Sequence, residues 1–120
     1  MQISEQILSM KDDCVKIRRD LHRIPEIGFD LQKTHEYIKP IIEACRPDEL
    51  KVLAEVGFKA VFYAKDADRT IAFRADMDGM KNTEENKCRF RSRNKGVMHG
   101  CGHDGHMTIL LLLAKWISLN

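Results

Sequence analysis

Apolar residues at Ile3, Ile7, Leu8, Met10, Cys14, Val15, Ile17 and Leu21 recur at helical intervals, with Glu5, Lys11, Asp12, Lys16 and Arg19 between them. The pattern predicts a single amphipathic helix of about five turns. It should stop near Ile24, because a residue before proline (here Pro25) is pushed out of helical backbone angles. The turn Pro25-Glu26-Ile27-Gly28 follows. A second helix is expected over residues 31–45, burying Tyr37, Ile38, Ile41 and Ile42, with Pro40 imposing a kink or an earlier end. Beyond Pro47 the texture turns to short β-type runs, at 51–56, 59–64 and 70–75. Lys65-Asp66-Ala67-Asp68 reads as a turn, so the second and third runs should form an antiparallel hairpin. The third is nearly continuous in apolar character, as in a strand central to its sheet. Residues 107–119 are the most apolar stretch; Lys115 interrupts them and they are too short to span a bilayer, so a core helix is expected.

Composition narrows the class. At 120 residues and 13.9 kDa the chain is at most one domain, and 43% hydrophobic with 32% charged residues describes an ordinary soluble globular sequence. Twenty basic and 18 acidic residues leave a net charge of +2, which calls for neither nucleic acid nor a membrane surface. Residues 81–95 are locally basic but carry only Phe90 as a stacking aromatic, the mark of a solvated loop. Cys14, Cys45, Cys88 and Cys101 are widely and irregularly spaced, and residues 1–10 do not form a signal peptide. Free thiols in a reducing cytoplasm are expected.

The chemistry concentrates in residues 96–106, Gly-Val-Met-His-Gly-Cys-Gly-His-Asp-Gly-His, which hold three of the five histidines, one cysteine, an aspartate and four glycines. Thiolate, imidazole and carboxylate are the ligands of zinc-like metals. His99, Cys101 and His103 are two apart, so an extended backbone would point all three to one side. His103 and His106 are three apart, and a helix would bring them together. Four potential ligands within eight residues favour a metal over a glycine-rich turn that merely carries histidines. A closed structural zinc site from His99, Cys101, His103 and His106 competes, although such sites usually take two short ligand pairs across a longer loop. Asp76 and Asp78, at the end of the third expected strand, could ligate metal or orient a histidine; equally, turns are polar. Glu84-Glu85 reads as part of the solvated loop.

Arg19-Asp20-Leu21-His22-Arg23-Ile24-Pro25-Glu26-Ile27-Gly28-Phe29, Thr34, Ile71-Ala72-Phe73-Arg74-Ala75-Asp76-Met77-Asp78 and Val97 to His106 occur in the same order as in a known family. The chain resembles the metal-dependent amidohydrolases of the M20 peptidase family, in the branch of hippurate hydrolases, N-acyl-amino-acid amidohydrolases and auxin-conjugate hydrolases. The resemblance implies hydrolysis of the amide of a small-molecule N-acyl amino acid. It implies a divalent metal, two per complete site (Zn, Mn, Co or Ni), with Cys101 and His103 as ligands. Asp78 is expected to support the metal centre, and Asp76, His99, Asp104 and His106 to lie around it. The His22–Glu26 block looks like a structural signature. Complete relatives are homo-oligomeric.

The resemblance also implies what these residues lack. Relatives are longer, with a general-base Glu-Glu pair and further ligands after this motif, whereas no Glu, Asp, His or Cys follows His106 here. Gly79-Met80-Lys81 stands where relatives usually show Ala-Leu-Pro. Residues 1–120 are therefore expected to be the N-terminal portion of a single α/β catalytic domain, helices on a mixed sheet, without the lid and dimerisation domain. Alone they should be inactive, the alternative being a metal-binding or partner-binding remnant.

Overall fold

The computed structural model describes residues 3–120. The first apolar stripe is divided between α1 (Glu5–Leu8) and α2 (Lys11–Arg23). Ser9 is the reason for the break. Its amide returns to Glu5 and its hydroxyl to Gln6, the Met10 amide closes on Ile7, and the chain restarts at Met10 with φ −84° and ψ 0°. None of α1 is buried, so tertiary packing does not enforce one continuous helix. α2 ends at Ile24, ahead of Pro25, as the sequence predicts.

α3 (Gln32–Ala44) continues through Pro40. Its N-terminus has no local side-chain cap at Leu31. Glu26 supplies one from the preceding turn, accepting from the amides of Lys33 (3.1 Å) and Thr34 (2.8 Å) and from the Thr34 hydroxyl (2.8 Å). That carboxylate satisfies donors every helix start leaves open and suits the positive end of the helix dipole.

The strands depart from expectation. β1 (Glu49–Leu53) pairs antiparallel with β2 (Gly57–Val61), in register Glu49 with Val61 and Leu53 with Gly57. The hairpin thus joins the first two runs and not the second and third. Ala54 and Glu55 turn it in left-handed conformations, φ 47° and 67°. The third run forms no strand. From 67 to 79 the chain passes without a turn or bend, and Ile71 and Phe73 are 71% and 63% exposed. Its apolar character matches a central strand, but among the described residues no strand lies beside it. A second short ladder, β3 (Met80–Lys81) with β4 (Val97–Met98), pairs Met80 with Met98 and Lys81 with Val97.

α4 (His103–Ser118) packs on α2 and α3. Ile17, Leu21, Ile38, Met107 and Leu111 form the core, flanked by Tyr37, Ile41, Ile42, Phe58, Ala75 and Met77. Only one face of α4 is buried; Ile109 and Ile117 are 65% and 37% exposed, so the expected core helix is a half-buried one. The class is α/β, with the strands in two separate two-stranded sheets. The β3–β4 ladder matters most for chemistry, because it pairs residues 80–81 with residues 97–98, and just outside it Asp78 meets His103.

Candidate metal site and the network beneath it

Residues 96–106 do not stay extended. The chain leaves β4, turns at Gly100-Cys101 and enters α4 through Gly102, whose φ of 83° is left-handed. The two-residue alternation therefore does not put His99, Cys101 and His103 on one side. His99 is buried at 4% exposure, Cys101 is exposed, and His103 is half-buried in the first turn of α4. His103 and His106 share a helix face with ring centroids 5.9 Å apart.

Asp78 holds the His103 ring. Nδ1 lies 2.8 Å from the Asp78 carbonyl oxygen and 3.2 Å from its Oδ1. A carbonyl only accepts, so Nδ1 carries the proton and Nε2 keeps the lone pair. That is the tautomer a metal-binding histidine needs, set in the way ligating histidines commonly have it set. Cys101 Sγ is 3.8 Å from Met80 Sδ. Asp76 is exposed and paired with Arg74 at 2.6 Å. Two acids two apart in sequence thus face different partners. The donors fit a soft divalent ion in part: an exposed thiol and a free imidazole nitrogen two residues apart. Among the described residues, no three His, Cys, Asp or Glu side chains converge as a metal cluster.

Beneath the motif lies a group of charges of which the sequence reading picked out Asp104 as a site residue but not Arg18, His22 or Glu84. Asp104, 1% exposed, accepts on Oδ2 from His22 Nδ1 at 2.7 Å and forms an ion pair with Arg18, whose Nε lies 2.9 Å from the same oxygen. The other ring nitrogen of His22 faces Glu84 Oε1 at 3.0 Å, and Glu84 Oε2 accepts from the Ser92 amide at 2.6 Å. Phe90 packs edge-on against His22 while Arg18 and Arg19 lie over its ring. An open cleft of about 460 Å³ borders the outer end of this group, at Arg18, Glu84, Lys87 and Phe90. Burial would raise the Glu84 carboxyl, but bonds from His22, Ser92 and Asn86 outweigh it and hold Glu84 below its ordinary range. His99 is pushed down chiefly by burial, with His22 and His103 adding to the effect and Asp104 opposing it. Both His99 ring nitrogens and Asp104 Oδ1 are buried without hydrogen-bond partners, so unspent polar capacity collects at the motif.

His22 sits beside Leu21 on the buried stripe of α2, one turn from Arg18, and that spacing was the available signal. Glu84 was hidden by its charged surroundings. All four cysteines are free thiols; burial raises Cys45 more than the nearby Lys115 lowers it.

The sequence profile of Peptidase family M20/M25/M40 matches residues 72–119, which include Asp78 and the whole motif. The chain is 43% identical over 107 residues to an N-acetyldiaminopimelate deacetylase of Halalkalibacterium halodurans, covering 88% of this chain and 29% of that protein. It is 37% identical over 117 residues to an N-acyl-L-amino acid amidohydrolase of Geobacillus stearothermophilus, covering 98% and 32%. Among solved structures it superposes on a protein of methicillin-resistant Staphylococcus aureus described as an aminohydrolase, with TM-score 0.87, 35% identity and coverage of 96% and 31%. It also superposes on a Bacillus subtilis dinuclear metal binding peptidase, with TM-score 0.86, 28% identity and coverage of 93% and 32%. The chain thus spans under a third of the length of these relatives.

Proposed function

Because this chain belongs to the M20 peptidase family, we propose that it carries the first part of a metal-dependent amidohydrolase site for N-acyl amino acids. Cys101 and His103 are the ligands this chain contributes. The observation that carries the reading is the seating of His103 Nδ1 on Asp78, which leaves Nε2 as the donor. A divalent metal bound there supplies Lewis acidity toward water and the scissile carbonyl. Asp78 fixes the tautomer and orientation of His103. Cys101 would offer the metal a thiolate sulfur. His99 and His106 flank the ligands, and Asp104 lies behind them. The names of the deacetylase and amidohydrolase relatives support an N-acyl amino acid as substrate class.

On this reading residues 1–120 correspond to the N-terminal portion of a single catalytic domain and carry at most half of a metal site. No Glu, Asp, His or Cys follows His106 within them, so alone they bind metal weakly and do not turn over substrate. A partner-binding role without catalysis is the second reading, favoured by the exposed Ile71 and Phe73 on a stretch that pairs with no strand among the described residues. Titration calorimetry with Zn²⁺ or Mn²⁺ should show weak, chelator-reversible binding that Cys101→Ser and His103→Ala both abolish. A flat titration would remove the metal reading. An N-acetyl amino acid assay on the pure 120-residue chain should show no hydrolysis; turnover lost in Cys101→Ser would show the chain sufficient for catalysis.

A further inference from the structure

The N-terminus of α4 lacks a local anchor. Gly102 occupies the capping position and has no side chain to accept from the first amides. Yet His103 in that first turn has to stay seated on Asp78 across the β3–β4 side of the fold. The anchor visible in the structure is long-range: Asp104, the next residue, is fully buried and tied to α2 through His22 and Arg18.

We propose that His22 is a positioning residue for His103, holding the first turn of α4 through Asp104 so that the His103 ring stays locked on Asp78. His22 suits this task better than Arg18. Its ring is 4% exposed and cannot swing, because Asp104 Oδ2 and Glu84 Oε1 hold its two nitrogens from opposite sides. Glu84 is itself fastened by the Ser92 amide, and Phe90 closes the ring edge. Arg18 is partly exposed and reaches the same Asp104 oxygen from a flexible stem. The charge-assisted bond from a buried donor to a buried carboxylate is among the stronger single contacts a fold can use to place a helix. The role as ligand support rests on reading His103 as a ligand; the positional coupling of His22 to His103 does not.

The test is nitrogen-15 imidazole NMR on the metal-free chain. Wild-type His103 should appear as the Nδ1–H tautomer with a slowly exchanging ring proton. In His22→Gln the signal should move toward tautomer averaging and the ring proton should exchange at least tenfold faster. Tyr37→Phe, which loses a bond to Asp20 elsewhere on α2, serves as the control for general destabilisation and should leave His103 unchanged. Folded His22→Gln with wild-type His103 signals would overturn the proposal, as would a freely averaging His103 in the wild type. Should His22→Gln not fold, Glu84→Gln decides on the same signals, with loosening expected and no change overturning it. A Zn²⁺ titration on the same samples separates the two ideas. If His103 loosens in the variant and the wild type binds no Zn²⁺, the positioning stands and the metal reading falls. If Zn²⁺ binds, the variant should lose roughly 10–100-fold in affinity, the usual size of an outer-shell effect.

Discussion

At the scale of single residues, the informative feature is a charge whose environment the sequence disguised. Glu84 lies in a run that reads as solvated loop, yet its side chain is 3% exposed and accepts from His22, Ser92 and Asn86. Those bonds lower its pKa below the ordinary 4.5, so the ionised form favours the folded state. The contribution is complete above about pH 4.5 and is lost as pH falls through the lower folded value. Urea denaturation from about pH 6 to pH 3 should show stability falling on the acid side, with a shallower fall in Glu84→Gln. Equal slopes in the two proteins would mean that Glu84 gains nothing from its partners. The candidate ligands were legible for the opposite reason. Cys101 and His103 stand in a stretch dense in ligating side chains, and density survives any backbone path.

At the scale of elements, the turn between β4 and α4 decides which motif residues meet. Alternation along an extended strand was the natural sequence expectation, and two glycines undo it. An added Cβ at Gly102 would meet no atom within 4 Å, so the constraint there is φ of 83° alone. Gly100 is the reverse case: its added Cβ would come within 2.6 Å of Met80 Sδ, the mobile end of a flexible side chain. Gly102→Ala should therefore cost about 1–2 kcal/mol of stability from left-handed strain, and Gly100→Ala clearly less. Thermal melts of both variants check the order, and a costlier Gly100→Ala would place the constraint in packing. Helix ends were easier to read. Pro25 announced the stop of α2, whereas the distant Glu26 cap on α3 and the Ser9 break in α1–α2 depend on hydrogen bonds that periodicity does not encode.

At the scale of the whole molecule, the stretch 67–79 stands out. It is apolar and exposed at Ile71 and Phe73 and belongs to no strand among the described residues, while Ala75 and Met77 anchor one end on the core. An open backbone edge with exposed apolar side chains is a template for association. Sedimentation velocity on the 120-residue chain should show association that grows with concentration and weakens in Ile71→Lys. A monomer at every concentration would mean the edge is sealed in solution. Superposition on relatives with TM-scores of 0.86 and 0.87, over under a third of their length, shows that these residues keep the family's arrangement.

Sequence by itself determined the family, the helices of the core and the residue types of the candidate site, because these rest on local order: helical periodicity, a proline stop, a motif of ligating side chains. It also determined that 70–75 is apolar enough for a sheet interior. Tertiary structure alone decided which strands pair, that His103 rests on Asp78 while Asp76 pairs with Arg74, and that His22, Asp104 and Glu84 form one buried group. Those contacts join residues 62 and 82 positions apart. No window of local pattern spans such distances: the packing of α4 on α2 brings Asp104 to His22, and the loop between β3 and β4 brings Glu84 to it.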